Sequence, residues 1–195
     1  MQNHIFKAMS LSEYEAEWKK LVEEGASSGE NQSETYVNFT KLNWSRHQRV
    51  LKKIEFAKDF EEELNAIQSP LDLIVITETW CGDAAQCVAL LAKMEQSNPA
   101  VKLHILYRDQ NLELMDRHLT NGGRSIPKVL FVRDGKVLAE WGPRPKPAQF
   151  LYDAFKANPA GRVYQDIQID LQKWYTADKT LTQQQEVMDI LMNIH

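Results

Sequence analysis

Leu71-Asp-Leu-Ile-Val-Ile-Thr77, followed at once by Glu78-Thr-Trp-Cys-Gly-Asp-Ala-Ala-Gln-Cys87, is the stretch on which the fold turns. Its first seven residues form a short β-branched run, the pattern of a buried strand. From Gly82 to Ser97 the spacing is helical, so Cys81 stands where that strand turns into a helix. A thiol there meets the helix's unpaired amides and the positive end of its dipole, and both stabilise a thiolate. Glu78 and Asp83 act the other way, because nearby negative charge disfavours ionisation. The balance predicts a modest lowering of the Cys81 pKa and a thiol that reacts or faces a ligand.

Working outward, Val101 to Tyr107 is a second strand, and Leu112 to Leu119 a short helix ended by Asn121-Gly122-Gly123. Lys128 to Val132 and Lys136 to Trp141 flank Asp134-Gly135, a two-residue hairpin signal, since a type I′ turn needs positive φ at both central residues. After Gly142-Pro-Arg-Pro-Lys-Pro147 a helix resumes from Ala148 to Ala157. The order strand-helix-strand-helix-strand-strand-helix predicts an α/β fold with one mixed sheet flanked by helices. Towards the N-terminus, a short amphipathic helix follows Ser12 and stops at Gly25. Residues 25–33 form a polar, flexible connection, and Val50, Ile54, Ala57 and Leu64 then continue one helical pattern up to Ser69-Pro70. Val163, Ile167, Leu171 and Trp174 keep helical spacing, and Leu181 to Ile194 forms a last helix. The expected organisation is one structural unit: an N-terminal helical extension over 1–69, a core over 70–160 and a helical tail over 161–195.

Composition narrows the function classes. A chain of 195 residues with 43% hydrophobic and 26% charged residues can build one ordinary core. The 23 basic and 27 acidic residues leave a net charge of −4, which argues against a general nucleic-acid binder. Two cysteines make no disulfide scaffold and suit a reducing compartment. No secretory h-region and no membrane-length apolar run is visible, so a cytoplasmic protein is expected. The five histidines show no ligand spacing with the cysteines, and no metal or cofactor is expected. Arg144-Pro-Lys146 is too short for a nucleic-acid claim, and Trp44, Arg46 and Arg49 fit an interface or core packing with a solvated face.

Trp80-Cys81-Gly82-Asp83 at a strand-to-helix turn, with Ser125-Ile126-Pro127 opening the hairpin, resembles the thioredoxin-like superfamily over residues 70–158. More narrowly, it is similar to a bacterial group whose motif runs WCGDAA, with a comparable helical extension. The resemblance implies a mixed central sheet, Cys81 as the reacting thiol, and a cis Ile126–Pro127 bond packed beside it. Trp80, Gly82, Asp83, Ile126 and Pro127 would form the binding surface, with the Ile126 backbone pairing to an extended peptide. Active thioredoxins carry a second cysteine where this chain has Ala84, a buried Asp where it has Val75, and a helix-kinking proline where it has Ala89.

Cys87 does not replace the missing thiol. Six residues along a helix mean a rise of about 9 Å and a rotation of about 240°, beyond the roughly 7 Å between Cα atoms that a disulfide tolerates. Cys87 shares a face with Ala84, Val88, Leu91 and Met94 and reads as an inert core thiol. The leading expectation is therefore monothiol thiol–disulfide exchange with a protein or low-molecular-weight thiol or disulfide. A non-catalytic peptide-binding adaptor, or a glutaredoxin-like site for glutathione or an iron–sulfur cluster, remains open beside it.

Overall fold

The computed structural model describes residues 1–194. A mixed sheet is built from β1 (Leu71–Thr77), β2 (Val101–Tyr107), β3 (Lys128–Arg133) and β4 (Lys136–Trp141), in the order β2-β1-β3-β4. β1 and β2 run parallel and in register from Leu71 opposite Val101 to Thr77 opposite Tyr107. β3 lies antiparallel to β1, and β4 antiparallel to β3. Around the sheet are α1 (Gln2–Ile5), α2 (Leu11–Glu24), α3 (Glu34–Lys53), α4 (Lys58–Ala66), α5 (Gly82–Ser97), α6 (Leu112–Met115), α7 (Lys146–Ala157), α8 (Tyr164–Asp178) and α9 (Leu181–Asn193). The architecture is the α/β mixed sheet that the element order predicts.

β1 is the centre of the core. Leu73, Ile74, Val75 and Ile76 are all fully buried, which explains their continuous apolar run in place of alternation. The hairpin turn has φ of 52° at Asp134 and 73° at Gly135, as a type I′ turn requires.

Three details differ from the sequence reading, each for a local reason. Helix α2 begins before Ser12, because Ser10 caps it: the Ser10 hydroxyl accepts from the Glu13 amide at 3.3 Å, and Glu13 Oε2 accepts from the Ser10 amide at 2.8 Å. The expected single helix before Ser69 is two, α3 and α4. Gln184 of α9 reaches between them, accepting from the Ala57 amide at 2.8 Å and donating to the Glu55 carbonyl at 3.1 Å. Those two backbone groups find partners outside a helix, so the chain can leave the helical path there. The third is α6, which closes at Met115 and continues to His118 only as tight turns.

The connection over residues 25–33 is not a loose linker throughout. Gly25 closes α2 in the left-handed conformation, but Ser27 and Ser28 are buried. Ser27 Oγ shares a hydrogen bond with Thr40 Oγ1 at 2.8 Å, and Ser28 Oγ accepts from the Thr79 amide at 3.0 Å while bonding the Glu78 carboxylate. The two serines therefore dock this segment on the turn that precedes Cys81. Trp18, fully buried, donates to the Thr40 carbonyl at 3.0 Å and ties α2 to α3. At the other end of the chain, Tyr175, Val187 and Leu191 enter the same core. No described helix is long and apolar enough to cross a membrane.

Candidate thiol cleft

Cys81 is the N-cap of α5, directly after the turn Glu78-Thr-Trp80 that leaves β1. Its Sγ donates to the Ile126 carbonyl at 3.3 Å. The Ile126–Pro127 bond is cis, and so is Gly142–Pro143. The two turns are stacked: Gly142 has φ of 113°, and a Cβ there would stand 2.2 Å from the Pro127 carbonyl oxygen. Only glycine lets the end of β4 pass so close over the proline turn.

The environment of the thiol corrects the sequence expectation. Cys81 is 8% exposed, and its pKa is pushed up to about 12. Burial is the largest cause and the Asp83 carboxylate the next; the Ala84 and Asp83 amides and Arg144 only partly oppose them. Amides at a helix start cannot offset the loss of water around an anion. The resting thiol is therefore protonated.

Asp83 is itself gripped. It accepts from Arg144 Nε at 3.0 Å, from Arg144 Nη2, and from the Tyr175 hydroxyl at 2.9 Å. Arg144 stacks 4.4 Å above the Tyr152 ring and donates to Gln149 Oε1 at 2.9 Å. Gln172 of α8 donates to the Gly82 carbonyl at 3.4 Å and accepts from Gln86 at 2.8 Å. Cys87, fully buried, meets the Tyr175 hydroxyl at 3.8 Å, and burial pushes its thiol up as well. No disulfide joins the two cysteines.

Trp80 is half-buried between Tyr36, 5.0 Å away ring to ring, and the Arg108 guanidinium, 5.0 Å from its ring centroid. Behind the turn, Glu78 is fully buried, takes hydrogen bonds from Ser28 and from the Asp109 amide at 3.0 Å, and is shifted upward mainly by burial. Trp80, Cys81, Gly82, Asp83 and Ile126 all line one cleft of about 790 Å³, a size that accommodates a short-peptide-sized ligand. Pro127 is buried and does not itself line the cleft.

The structure adds Asn43, Arg108, Gln172 and Tyr175, which motif reading passed over, and brings to the site Arg46, read as interface or solvated face, and Arg144, read as part of a short basic stretch. Arg144 had a faint signal, as the first cation after the glycine-proline break. Gln172 and Tyr175 had none, because only folding brings α8 across the start of α5. Among the described residues, no three His, Cys, Asp or Glu side chains gather to hold a metal ion.

A mixed sheet with a thiol at the start of the helix after β1, facing a cis-proline turn, defines a thioredoxin-like protein. A family model described as thioredoxin matches residues 29–156, and the chain belongs to that family. It is similar to the crystal structure of a protein of unknown function from Pseudomonas aeruginosa, with 19% identity, a TM-score of 0.60, and coverage of 77% of this chain and 84% of that one. A crystal structure described as an HIV epitope scaffold is similar at 18% identity and a TM-score of 0.59, covering 89% of this chain and 96% of that one. At such identities the two structures speak for the fold alone. No curated protein matches the chain.

Proposed function

We propose that this thioredoxin-family protein holds an extended, thiol- or disulfide-bearing segment in its cleft and that Cys81 exchanges with it as a single thiol. The observation that carries this reading is the Cys81 sulfur on the Ile126 carbonyl, 3.3 Å away at the wall of an open cleft. An extended segment pairing with the Ser125–Ile126 backbone would lay its own sulfur against Sγ. The Cys81 thiolate attacks a disulfide sulfur, forms a mixed disulfide and releases the other half as a thiolate. An external thiolate then attacks the mixed disulfide, takes the substrate sulfur and returns Cys81. Ala84 and the distant, buried Cys87 provide no internal resolving thiol.

The electrostatics make this exchange slow. Raising the Cys81 pKa from 9.0 to about 12 lowers the thiolate fraction at neutral pH by about three orders of magnitude. The greater nucleophilicity of a more basic thiolate recovers about half of that loss on a logarithmic scale. Exchange is therefore slower than at an exposed cysteine. That protonated resting thiol favours a second reading, a binding module in which Cys81 reacts little.

Reaction with oxidised glutathione between pH 7 and 10, followed by intact mass, tests the proposal. One glutathione adduct, on Cys81 alone, at a rate rising about tenfold per pH unit, is the expected result. No adduct at pH 10 would leave binding as the function.

A further inference from the structure

We infer that the cleft selects extended segments that carry carboxylates, and that Arg46 receives a carboxylate beside Cys81. The inference deepens the reading above by naming the charge of the bound segment, and it concerns binding, not the sulfur chemistry.

The arginines at the cleft differ in one respect. Arg108 is paired with Asp109 at 2.8 Å, Arg124 with Asp116 at 2.6 Å, and Arg144 with Asp83. Arg46 faces the same space, yet among the described residues it meets no carboxylate. Its Nη1 donates at 2.9 Å to Asn43 Oδ1, a neutral acceptor. It is half-buried, and burial together with neighbouring Arg49 pulls its pKa down, so its charge is carried at a cost. A guanidinium partly removed from water and left without an anion gains most from a bidentate carboxylate.

Its position places that anion at the thiol. Asn43 is fully buried and donates to the Thr79 carbonyl at 3.4 Å, which fixes α3 to the turn before Cys81. Arg46 Nη1 then stands 3.8 Å from where a side chain on Gly82 would begin. A carboxylate held there lies over the positive end of α5, a 16-residue helix. Lys156 near Tyr152 adds a positive charge along the wall, whereas Arg108 over Trp80 is balanced by Asp109. Of the two carboxylates lining the cleft, Asp83 is spent on Arg144 and Tyr175, while Asp153 meets the neutral Gln149 amide at 2.7 Å and lies one turn from Lys156 on α7, which sets a negative charge beside that lysine and leaves Arg46 unmatched. The occupant fitting this charge arrangement is an acidic extended peptide, although the chain as a whole is acidic.

The test uses the full chain and three pentapeptides, Ala-Glu-Ser-Glu-Ala, Ala-Gln-Ser-Gln-Ala and Ala-Lys-Ser-Lys-Ala, each with a neutral fluorophore. Serine at the centre removes thiol chemistry from the binding measurement. By fluorescence anisotropy at 20 mM salt, the Glu peptide should bind at least tenfold more tightly than the other two, and 0.5 M salt should erase most of that preference. Arg46→Gln should bring the Glu and Gln peptides within about twofold. Arg46→Lys, which keeps the charge and loses the fork, should retain an intermediate preference. Equal affinities, no binding of any peptide, or a preference untouched by both substitutions would overturn the inference. Exchange with the uncharged disulfide of 2-mercaptoethanol at pH 9 is read in parallel. Exchange without acidic preference sinks the inference and spares the thiol chemistry; acidic preference without exchange does the reverse.

Discussion

Arg144 Nε donates to the Asp83 carboxylate at 3.0 Å across the gap between the end of β4 and the first turn of α5. The two side chains are 11% and 10% exposed, so this is an ion pair formed largely out of water. It joins the proline-rich break after the hairpin to the helix that presents Cys81, and Tyr175 ties α8 to the same carboxylate.

Removing one member of such a pair leaves the other charge stranded. Arg144→Leu should cost about 3–5 kcal/mol of unfolding free energy, measured by urea denaturation at pH 7. Asp83→Asn combined with Arg144→Leu should cost clearly less than the sum of the two single changes, because no charge is then left buried alone. Additivity would mean that the pair is not the unit of stability here.

The thiol itself gives a pH signature. Cys81 has a pKa of about 12 in the fold against 9.0 unperturbed. Between these values the folded state binds more protons than the unfolded one, so stability is fully present below pH 9 and is lost as pH rises towards 12. Thermal unfolding followed from pH 8 to 11 should show this loss, and Cys81→Ala should reduce it. Iodoacetamide labelling of the native protein, read by peptide mapping, should modify Cys81 before the fully buried Cys87. Asp83→Asn should move the labelling profile to lower pH, since it removes a negative charge beside the sulfur and leaves Arg144.

Restoring a second thiol tests the turn geometry. Ala84 lies three residues after Cys81 in the first turn of α5, and residues three apart on a helix bring their side chains together. Ala84→Cys should therefore form a disulfide with Cys81 under mild oxidation, seen as a loss of two mass units. A stable free dithiol in the oxidised sample would show that the helix start cannot close the bridge.

Glu78 offers a test behind the site. Its carboxyl is raised above the ordinary value by burial, so its folding contribution is present at low pH and declines as pH rises through and above the carboxylate range. Glu78→Gln keeps an acceptor for Ser28 and for the Asp109 amide without the charge. The variant should match or trail the parent near pH 4 and gain on it towards pH 8, by differential scanning calorimetry. A constant difference across that range would mean that Glu78 does not titrate in the fold.

The strands, the hairpin and the helix after Cys81 were legible in the sequence because each rests on local chemistry: a β-branched run, an Asp-Gly turn, apolar spacing over four turns. The cis turn at Pro127 was legible by family resemblance. What failed was the ionisation of Cys81 and the long-range pairing of particular polar groups. The helix start at Cys81 promised a lowered thiol pKa, but burial among β1, α5 and the proline turn outweighs a few amide dipoles. Nothing near Ile54 reveals that Gln184, more than a hundred residues later, satisfies the backbone at the break between α3 and α4. Ser27 and Ser28 looked like a solvated linker until Thr40, Glu78 and Thr79 arrived to bond them. Local pattern determines which segments become strands and helices, since that choice is settled within a few residues. Desolvation and charge pairing are sums over neighbours from distant segments, and for Cys81, Asp83 and Arg46 only the folded chain decides who those neighbours are.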